Sequence, residues 1–170
     1  MTRTLILTRH AKSDWDDPML EDHERPLNGR GKRSADAMGK WLSENGFRPD
    51  EVLCSTAVRT RETWERMAVG FGGAEIAVRW EALLYHAGPQ EILDRLRTAE
   101  GETVLVLGHN PGIGIAAANL ALEPPKHLRF MDYPTTATTV YRFDIDDWAE
   151  ADWRGGRVEA FVVPRDLGVD

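Results

Sequence analysis

The apolar run at residues 4–8, TLILT, ends abruptly in Arg9 and His10, and this ending constrains the fold more than any other feature of the chain. A short apolar run bounded by polar residues predicts a buried strand. In open α/β sheets, ligands bind just beyond the carboxyl ends of the strands. We therefore expect Arg9 and His10 at such an edge, where a guanidinium holds an anion and an imidazole attacks it or moves its protons. The alternative is that Arg9 only caps the strand and His10 is an ordinary loop residue.

The size and charge of the chain limit its partners. Its 170 residues are enough for a full hydrophobic core, and we expect a single domain over residues 1–170. The net charge is -7 and no basic run occurs, which argues against nucleic acid as a partner. A phosphorylated substrate remains compatible, because an acidic protein can hold a local basic pocket.

The single cysteine, Cys54, excludes a disulfide framework and a cysteine-based zinc site. No apolar run approaches the roughly 18 residues needed to span a bilayer, and no secretory signal pattern opens the chain. We expect a cytoplasmic protein without a membrane partner.

Strands and helices alternate in the predicted secondary structure, which is typical of a parallel α/β sheet. The predicted strands are residues 4–8, 51–54, 74–78, 103–107, 137–143 and 157–163. The predicted helices start near Asn28, Ser55, Pro89 and Pro111. Loops are predicted at residues 14–27 and 81–86, and the tail from Pro164 is expected to be loose.

Two later strand ends repeat the pattern of the first. After residues 51–54, Ser55 is a good helix N-cap, and Arg59 falls about one turn into the helix, beside an N-terminus that attracts anions. A plain surface cation is the alternative for Arg59. The strand at residues 103–107 ends in Gly108-His109, after which Asn110 can cap a helix that begins at Pro111.

Two other classes of hydrolase fit the sequence poorly. A metal hydrolase is disfavoured because no His-x-His or His-Glu-x-x-His spacing occurs. A cysteine phosphatase loop needs five residues between cysteine and arginine, whereas four separate Cys54 from Arg59 and six separate it from Arg61. We therefore expect no metal site and no cofactor.

The ordered set of strand-end residues resembles the histidine phosphatase superfamily, and within it the small SixA-like phosphohistidine phosphatases. The motifs that carry the resemblance are Arg9-His10-Ala11-Lys12-Ser13, Arg25-Pro26-Leu27-Asn28-x-x-Gly31, Ser55-Thr56-Ala57-Val58-Arg59, Glu81-x-Leu83-Leu84-Tyr85, Gly108-His109-Asn110-Pro111-Gly112 and Pro134-Thr135. Ala11 stands where much of the superfamily has the glycine of its Arg-His-Gly motif, as often in the SixA-like branch. The resemblance implies a three-layer α/β/α sandwich with a mostly parallel sheet, similar to phosphoglycerate mutase.

The resemblance also implies a mechanism. His10 is the expected nucleophile and forms a covalent phosphohistidine, while Arg9, Arg59 and a protonated His109 hold the phosphoryl oxygens. Further substrate-binding donors are expected at Ser13, Ser55 and Asn110. Glu81 is the general acid that the motif favours, and its rivals are Asp22 and His23.

The implied reaction is hydrolysis of a phosphoryl group, with phosphohistidine on a protein as the leading substrate. The chain lacks the insertions that build leaving-group pockets in larger members of the superfamily, so we expect an open site that suits a phosphoryl group on a protein surface. A small-molecule phosphomonoesterase, acting on a sugar phosphate or a nucleotide, is the first alternative. A phosphoryl-binding regulatory module without turnover is the second.

Overall fold

Strands and helices alternate through most of the computed structural model, which describes residues 1–73 and 75–169. The strands are β1 (Arg3–Arg9), β2 (Glu51–Ser55), β3 (Ala77–Glu81), β4 (Thr103–Gly108), β5 (Thr138–Phe143) and β6 (Gly156–Val162). The helices are α1 (Gly29–Glu44), α2 (Val58–Val69), α3 (Pro89–Leu96) and α4 (Gly112–Leu120).

The six described strands form one sheet in the order β3-β2-β4-β1-β5-β6. The first four strands in this order are parallel neighbours, and β5 runs antiparallel to both β1 and β6. The carboxyl ends of β1, β2 and β4 therefore lie side by side at one edge.

Helices cover both faces of the sheet, which explains why β1 is apolar at consecutive positions. Ile6 packs into the core beneath α1 and α2, together with Met38 and Met67. Leu5 and Leu7 pack into the opposite core, beneath α3 and α4. This arrangement confirms the expected three-layer α/β/α sandwich with a mostly parallel sheet.

The third strand was placed incorrectly by the sequence pattern, which predicted residues 74–78. The observed strand begins at Ala77 and continues to Glu81, because it pairs with β2 from Glu51 opposite Ala77 to Ser55 opposite Glu81. Its bounds follow from its neighbour rather than from its own apolar residues. Ala74 lies outside the described residues.

The tail from Pro164 is not loose, as the sequence pattern had predicted. A 3-10 turn spans Pro164–Leu167, and the Asp166 carboxylate accepts hydrogen bonds from the backbone N–H of Val163 (3.1 Å) and from His127 Nε2 (2.9 Å). Leu167 packs against the core beneath α1. Among the described residues, no helix is both long enough and apolar enough to cross a membrane.

Helix α1 begins against the backbone of the loop that follows His10. Asn28 donates its backbone N–H to the carbonyl oxygen of Lys12 (3.0 Å) and caps the helix by accepting from the N–H of Gly31 (2.8 Å). A β-carbon at Gly31 would overlap that same Lys12 carbonyl oxygen. The glycine therefore allows α1 to approach the loop closely.

We expect Gly31→Ala to lower the free energy of unfolding by about 1–3 kcal/mol, because the added methyl group must displace backbone rather than a flexible side chain. Gly29→Ala is the matched control in the same helix, since its β-carbon meets only the end of Arg33 at 3.4 Å. Urea unfolding of both variants tests this. Equal stability of the two variants would contradict the close approach.

Candidate active site

A pocket of about 320 Å³ lies at the sheet edge where β1, β2 and β4 end. It brings together the strand-end residues predicted from the sequence, Arg9, His10, Arg59 and His109. The other residues that line it are Lys12, Ser13, Trp15, Asp22, His86, Asn110 and Thr135.

His10 is buried at the end of β1, and its ring orientation is set by its own backbone neighbour. Its Nδ1 lies 2.7 Å from the carbonyl oxygen of Ala11, which can only accept, so Nδ1 carries the ring hydrogen. Burial, together with the charges of Arg9 and Arg59, lowers the pKa of His10 to about 3 against the raising effect of that hydrogen bond. His10 is thus neutral near pH 7 and has an unprotonated Nε2.

His109 lies beside His10, with the ring centroids 5.2 Å apart. Burial, followed by the proximity of His10 and the charge of Arg59, lowers its pKa to about 2, so His109 is neutral in the free site and not protonated as expected from the sequence. Its Nε2 lies 2.7 Å from Ser55 Oγ, which also accepts from the N–H of Ala57 at 3.4 Å. Ser55 can therefore donate its hydroxyl hydrogen to Nε2, which leaves the ring hydrogen of a neutral His109 on Nδ1.

Two buried nitrogens in the lining residues have no hydrogen-bond partner among the described residues, namely Arg9 Nε and His109 Nδ1. The rest of Arg9 is anchored, since its Nη1 donates to the carbonyl oxygen of Tyr133 (3.1 Å). Burial and the charge of Arg59 also lower the pKa of Arg9 from its ordinary value. Buried donors without a partner are costly, and a bound oxyanion would satisfy both.

Arg59 is held by a carboxylate from the loop after β1. Its two terminal nitrogens donate to the backbone oxygen of Asp22 (2.7 Å) and to Asp22 Oδ2 (3.0 Å), and the Tyr85 hydroxyl donates to the same Oδ2 (2.6 Å). Burial raises the pKa of Asp22, but the hydrogen bonds from Tyr85 and Arg59 outweigh it and lower the pKa below its ordinary value. Asp22 is therefore an ionised carboxylate at the pocket.

Glu81, which the motif favoured as general acid, does not line the pocket. Its carboxylate lies 2.7 Å from the guanidinium of Arg79, which also donates to Thr98. Residues two apart on a strand share a face, so β3 directs Glu81 toward Arg79. The other rival, His23, binds Thr56 Oγ1 at 3.0 Å and also lies outside the lining.

Only some of the predicted substrate-binding residues line the pocket. Ser13 lines the pocket, and its Oγ accepts from Trp15 Nε1 (3.0 Å). Ser55, also predicted to bind substrate, does not line the pocket. It does not cap α2 as predicted either; it ends β2, and the helix begins at Val58 after Ala57.

Asn110 lines the pocket, but its side-chain amide is already hydrogen-bonded to the backbone of Gly114 and Tyr133. Its amide accepts from the N–H of Gly114 (3.0 Å) and donates to the carbonyl oxygen of Tyr133 (3.0 Å). It therefore satisfies one N–H in the first turn of α4, although the N-cap is Pro111 and not Asn110 as predicted, and the helix begins at Gly112.

Sequence reasoning missed His86, which lines the pocket. Its backbone has φ 60°, a left-handed conformation that is uncommon outside glycine, and its ring lies 3.9 Å from that of Tyr85. No sequence signal marks a left-handed histidine. No group of three or more metal-ligating side chains occurs in the part of the chain that the structure describes.

The two buried histidines predict a loss of stability in acid. Unfolding restores their ordinary pKa of about 6.5, so below that pH both histidines of the unfolded chain bind a proton. In the folded chain His10 binds its proton only near pH 3 and His109 only near pH 2. We expect the free energy of unfolding to fall by about 2 kcal/mol per histidine between pH 7 and pH 5.

Urea unfolding at the two pH values measures this dependence. A variant carrying both His10→Gln and His109→Gln should lose most of it, whereas His127→Gln, at an exposed ion pair, should keep it. An unchanged pH dependence in the double variant would show that the two rings are not buried in the neutral form.

Comparison with known proteins identifies the family of the chain. The family model for the histidine phosphatase superfamily (branch 1) matches residues 5–84. Rv1276c of Mycobacterium tuberculosis is 33% identical over 164 residues, which cover 92% of this chain and 99% of its own length. The chloroplast protein At3g52155 of Arabidopsis thaliana is 36% identical over 131 residues, which cover 71% of this chain but only 60% of the plant protein.

A similar solved structure is described as a phosphohistidine phosphatase SixA from Nakamurella multipartitia. It is 31% identical, covers 96% of this chain and 97% of its own, and superposes with a TM-score of 0.78. The family match and these relatives, on top of the residues that meet at the pocket, show that the chain is a phosphatase that belongs to the histidine phosphatase superfamily, in its SixA-like branch.

Proposed function

We propose that the chain hydrolyses phosphohistidine on a protein through a covalent phosphohistidine on its own His10. The observation that carries the proposal is the pairing of a neutral, buried nucleophile with unsatisfied donors. His10 has an unprotonated Nε2, and in the same pocket Arg9 Nε and His109 Nδ1 have no hydrogen-bond partner among the described residues. Phosphoryl transfer needs a positioned nucleophile and donors for the equatorial oxygens, and little else.

In the first step, Nε2 of His10 attacks phosphorus and the bond from phosphorus to the substrate nitrogen breaks. Arg9, Arg59 and the Nδ1–H of His109 neutralise charge on the three oxygens. A neutral His109 suffices for this, because Ser55 Oγ lies next to its other nitrogen. The leaving imidazole keeps the electron pair and takes a proton from solvent.

In the second step, water attacks the phosphohistidine on His10 and releases phosphate. Asp22 is the candidate base, since its carboxylate is ionised and its side chain is 41% exposed, within reach of water. The proton passes from water to Asp22 as the new bond to phosphorus forms.

The ionised state of Asp22 also bears on the substrate. An ester releases a poor leaving group, an alkoxide, which needs a proton from a general acid. Glu81 is turned away, and Asp22 is held as a carboxylate by Tyr85 and Arg59. A phosphoramidate leaves through a basic nitrogen that needs less help, so the site supports phosphohistidine over a small-molecule ester.

The covalent step predicts acid-labile phosphate on His10. Purified protein, with a chelator present, would be mixed with a phosphohistidine protein or an aryl phosphate, quenched and mapped. We expect label on His10 and a loss of turnover of about 1,000-fold or more in His10→Ala. Turnover that required added metal, or label on another residue, would contradict the assignment.

The same experiment separates the alternatives. Turnover of sugar phosphates or nucleotides but not of phosphohistidine would indicate a small-molecule phosphomonoesterase. Binding of phosphate without turnover of either donor would indicate a regulatory module. The cytoplasmic location expected from the sequence stays a prediction.

The role of Asp22 predicts a different kind of defect. Asp22→Asn removes the base of the second step, so we expect phosphorylated His10 to accumulate and its hydrolysis to slow by about 100-fold. Glu81→Gln is the matched carboxylate control and should change the rate by less than about threefold, because Glu81 lies outside the pocket. Rapid-quench measurement of phosphoenzyme decay tests both. If phosphoenzyme decay slowed in Glu81→Gln but not in Asp22→Asn, Glu81 would again be the favoured acid–base residue, as the motif predicted.

A further inference from the structure

A second pocket, of about 280 Å³, adjoins the active-site pocket, and Thr135 lines both. We call it the arginine pocket, after the residue type that dominates its lining. The lining residues are Arg30, Ser34, Arg129, Pro134, Thr135, Val163, Pro164 and Arg165.

The arginine pocket carries three positive charges and no carboxylate, although the whole chain has a net charge of -7. Arg30 and Arg165 form no ion pair with any residue in the described ranges. Arg129 pairs with Asp132 at 3.2 Å, but both side chains are exposed, so the pair is weak and open to competition. Three guanidinium groups, of which only Arg129 has a carboxylate partner, favour an external anion.

Ser34 adds a hydrogen-bond donor to the arginine pocket. Its side chain is only 3% exposed, so its position is fixed by packing, and it lines the pocket. Its hydroxyl group forms no hydrogen bond to the residues that the structure describes and can therefore donate to an oxyanion in the pocket.

The two pockets are joined by backbone as well as by Thr135. Arg30 lies in the first turn of α1, which Asn28 and Gly31 hold against the backbone of Lys12. Lys12 lines the active-site pocket. Cationic side chains therefore extend from the active-site pocket to the arginine pocket.

We propose that the arginine pocket binds a second oxyanion, carboxylate or phosphate, of the same substrate molecule whose phosphoryl group lies at His10. This inference rests on the proposed function, and it adds a substrate requirement: a phosphohistidine with an acidic side chain close to it. A second phosphate on a small molecule would present the same chemistry, and the experiments below distinguish the two sources.

The first experiment uses ligands that are not turned over. Calorimetry would compare alkane bisphosphonates of increasing length with alkyl monophosphonates of the same length. We expect one bisphosphonate length to bind about tenfold tighter than its monophosphonate, because both pockets are then filled. In Arg30→Gln/Arg165→Gln this advantage should fall below about threefold.

Arg48→Gln/Arg157→Gln is the matched control, since it removes the same charge from exposed positions outside both pockets and should keep the advantage. Urea unfolding would verify that both double variants fold. The proposal is overturned if no bisphosphonate length shows an advantage, or if the advantage survives Arg30→Gln/Arg165→Gln.

The second experiment identifies the source of the anion. Phosphohistidine peptides flanked by Asp and Glu would be compared with peptides flanked by Asn and Gln. We expect a preference of about tenfold in kcat/KM for the acidic peptides, lost in Arg30→Gln/Arg165→Gln. A bisphosphonate advantage without a peptide preference would assign the pocket to a second phosphate of a small molecule.

Failure of the proposed function gives a different result from failure of this inference. If no phosphohistidine peptide is hydrolysed, the proposed function fails, while the bisphosphonate comparison still decides whether the arginine pocket binds an anion. If the peptides are hydrolysed without preference and the bisphosphonates show no advantage, only the second site fails.

Discussion

The burial of two arginines at one sheet edge is the constraint on which the rest of the site depends. Arg9 and Arg59 are close enough for the charge of Arg59 to lower the pKa of Arg9; Arg59 is almost fully buried and Arg9 is partly buried. Such a pair is tolerable only where fixed oxygens surround it, and here the carbonyl oxygen of Tyr133 and the carboxylate of Asp22 supply them. Asp22 neutralises one arginine and leaves the other for a ligand. The free site is thus short of negative charge, which a phosphoryl group supplies.

Burial, reinforced by the same positive field, determines the state of the histidines. Loss of hydration and nearby cations both oppose protonation of an imidazole, so His10 and His109 are neutral well below physiological pH. The carbonyl oxygen of Ala11 can only accept, so it fixes the ring hydrogen of His10 on Nδ1. The hydroxyl of Ser55 can donate to Nε2 of His109, and His109 then carries its ring hydrogen on Nδ1. In this arrangement the two rings present opposite nitrogens, an acceptor from His10 and a donor from His109. One pocket therefore contains both a nucleophile and a donor without any net proton uptake.

The strand-end residues were predictable because each follows an apolar run, and parallel strands bring their carboxyl ends together. The position of Glu81 was not, because it depends on the pairing of β3 with β2 and on the partner that Arg79 provides two residues earlier. Asp22 was only a rival candidate, since it lies in a polar loop without periodicity. That loop is organised by Arg25, which is buried and donates to backbone oxygens of the loop. Contacts of this kind leave no pattern in the sequence.

Ala11 connects the nucleophile His10 to Arg59, which lies in the first turn of α2. Its methyl group is fully buried in the core beneath α1 and α2, where a glycine would leave a gap. Its N–H donates to Thr63 Oγ1 (3.0 Å), and that hydroxyl donates to the carbonyl oxygen of Arg59 (2.6 Å). Because the carbonyl oxygen of Ala11 also orients His10, one residue connects the nucleophile to the first turn of α2. The alanine therefore keeps the backbone contacts that position His10 relative to Arg59, and its buried methyl group adds packing to them.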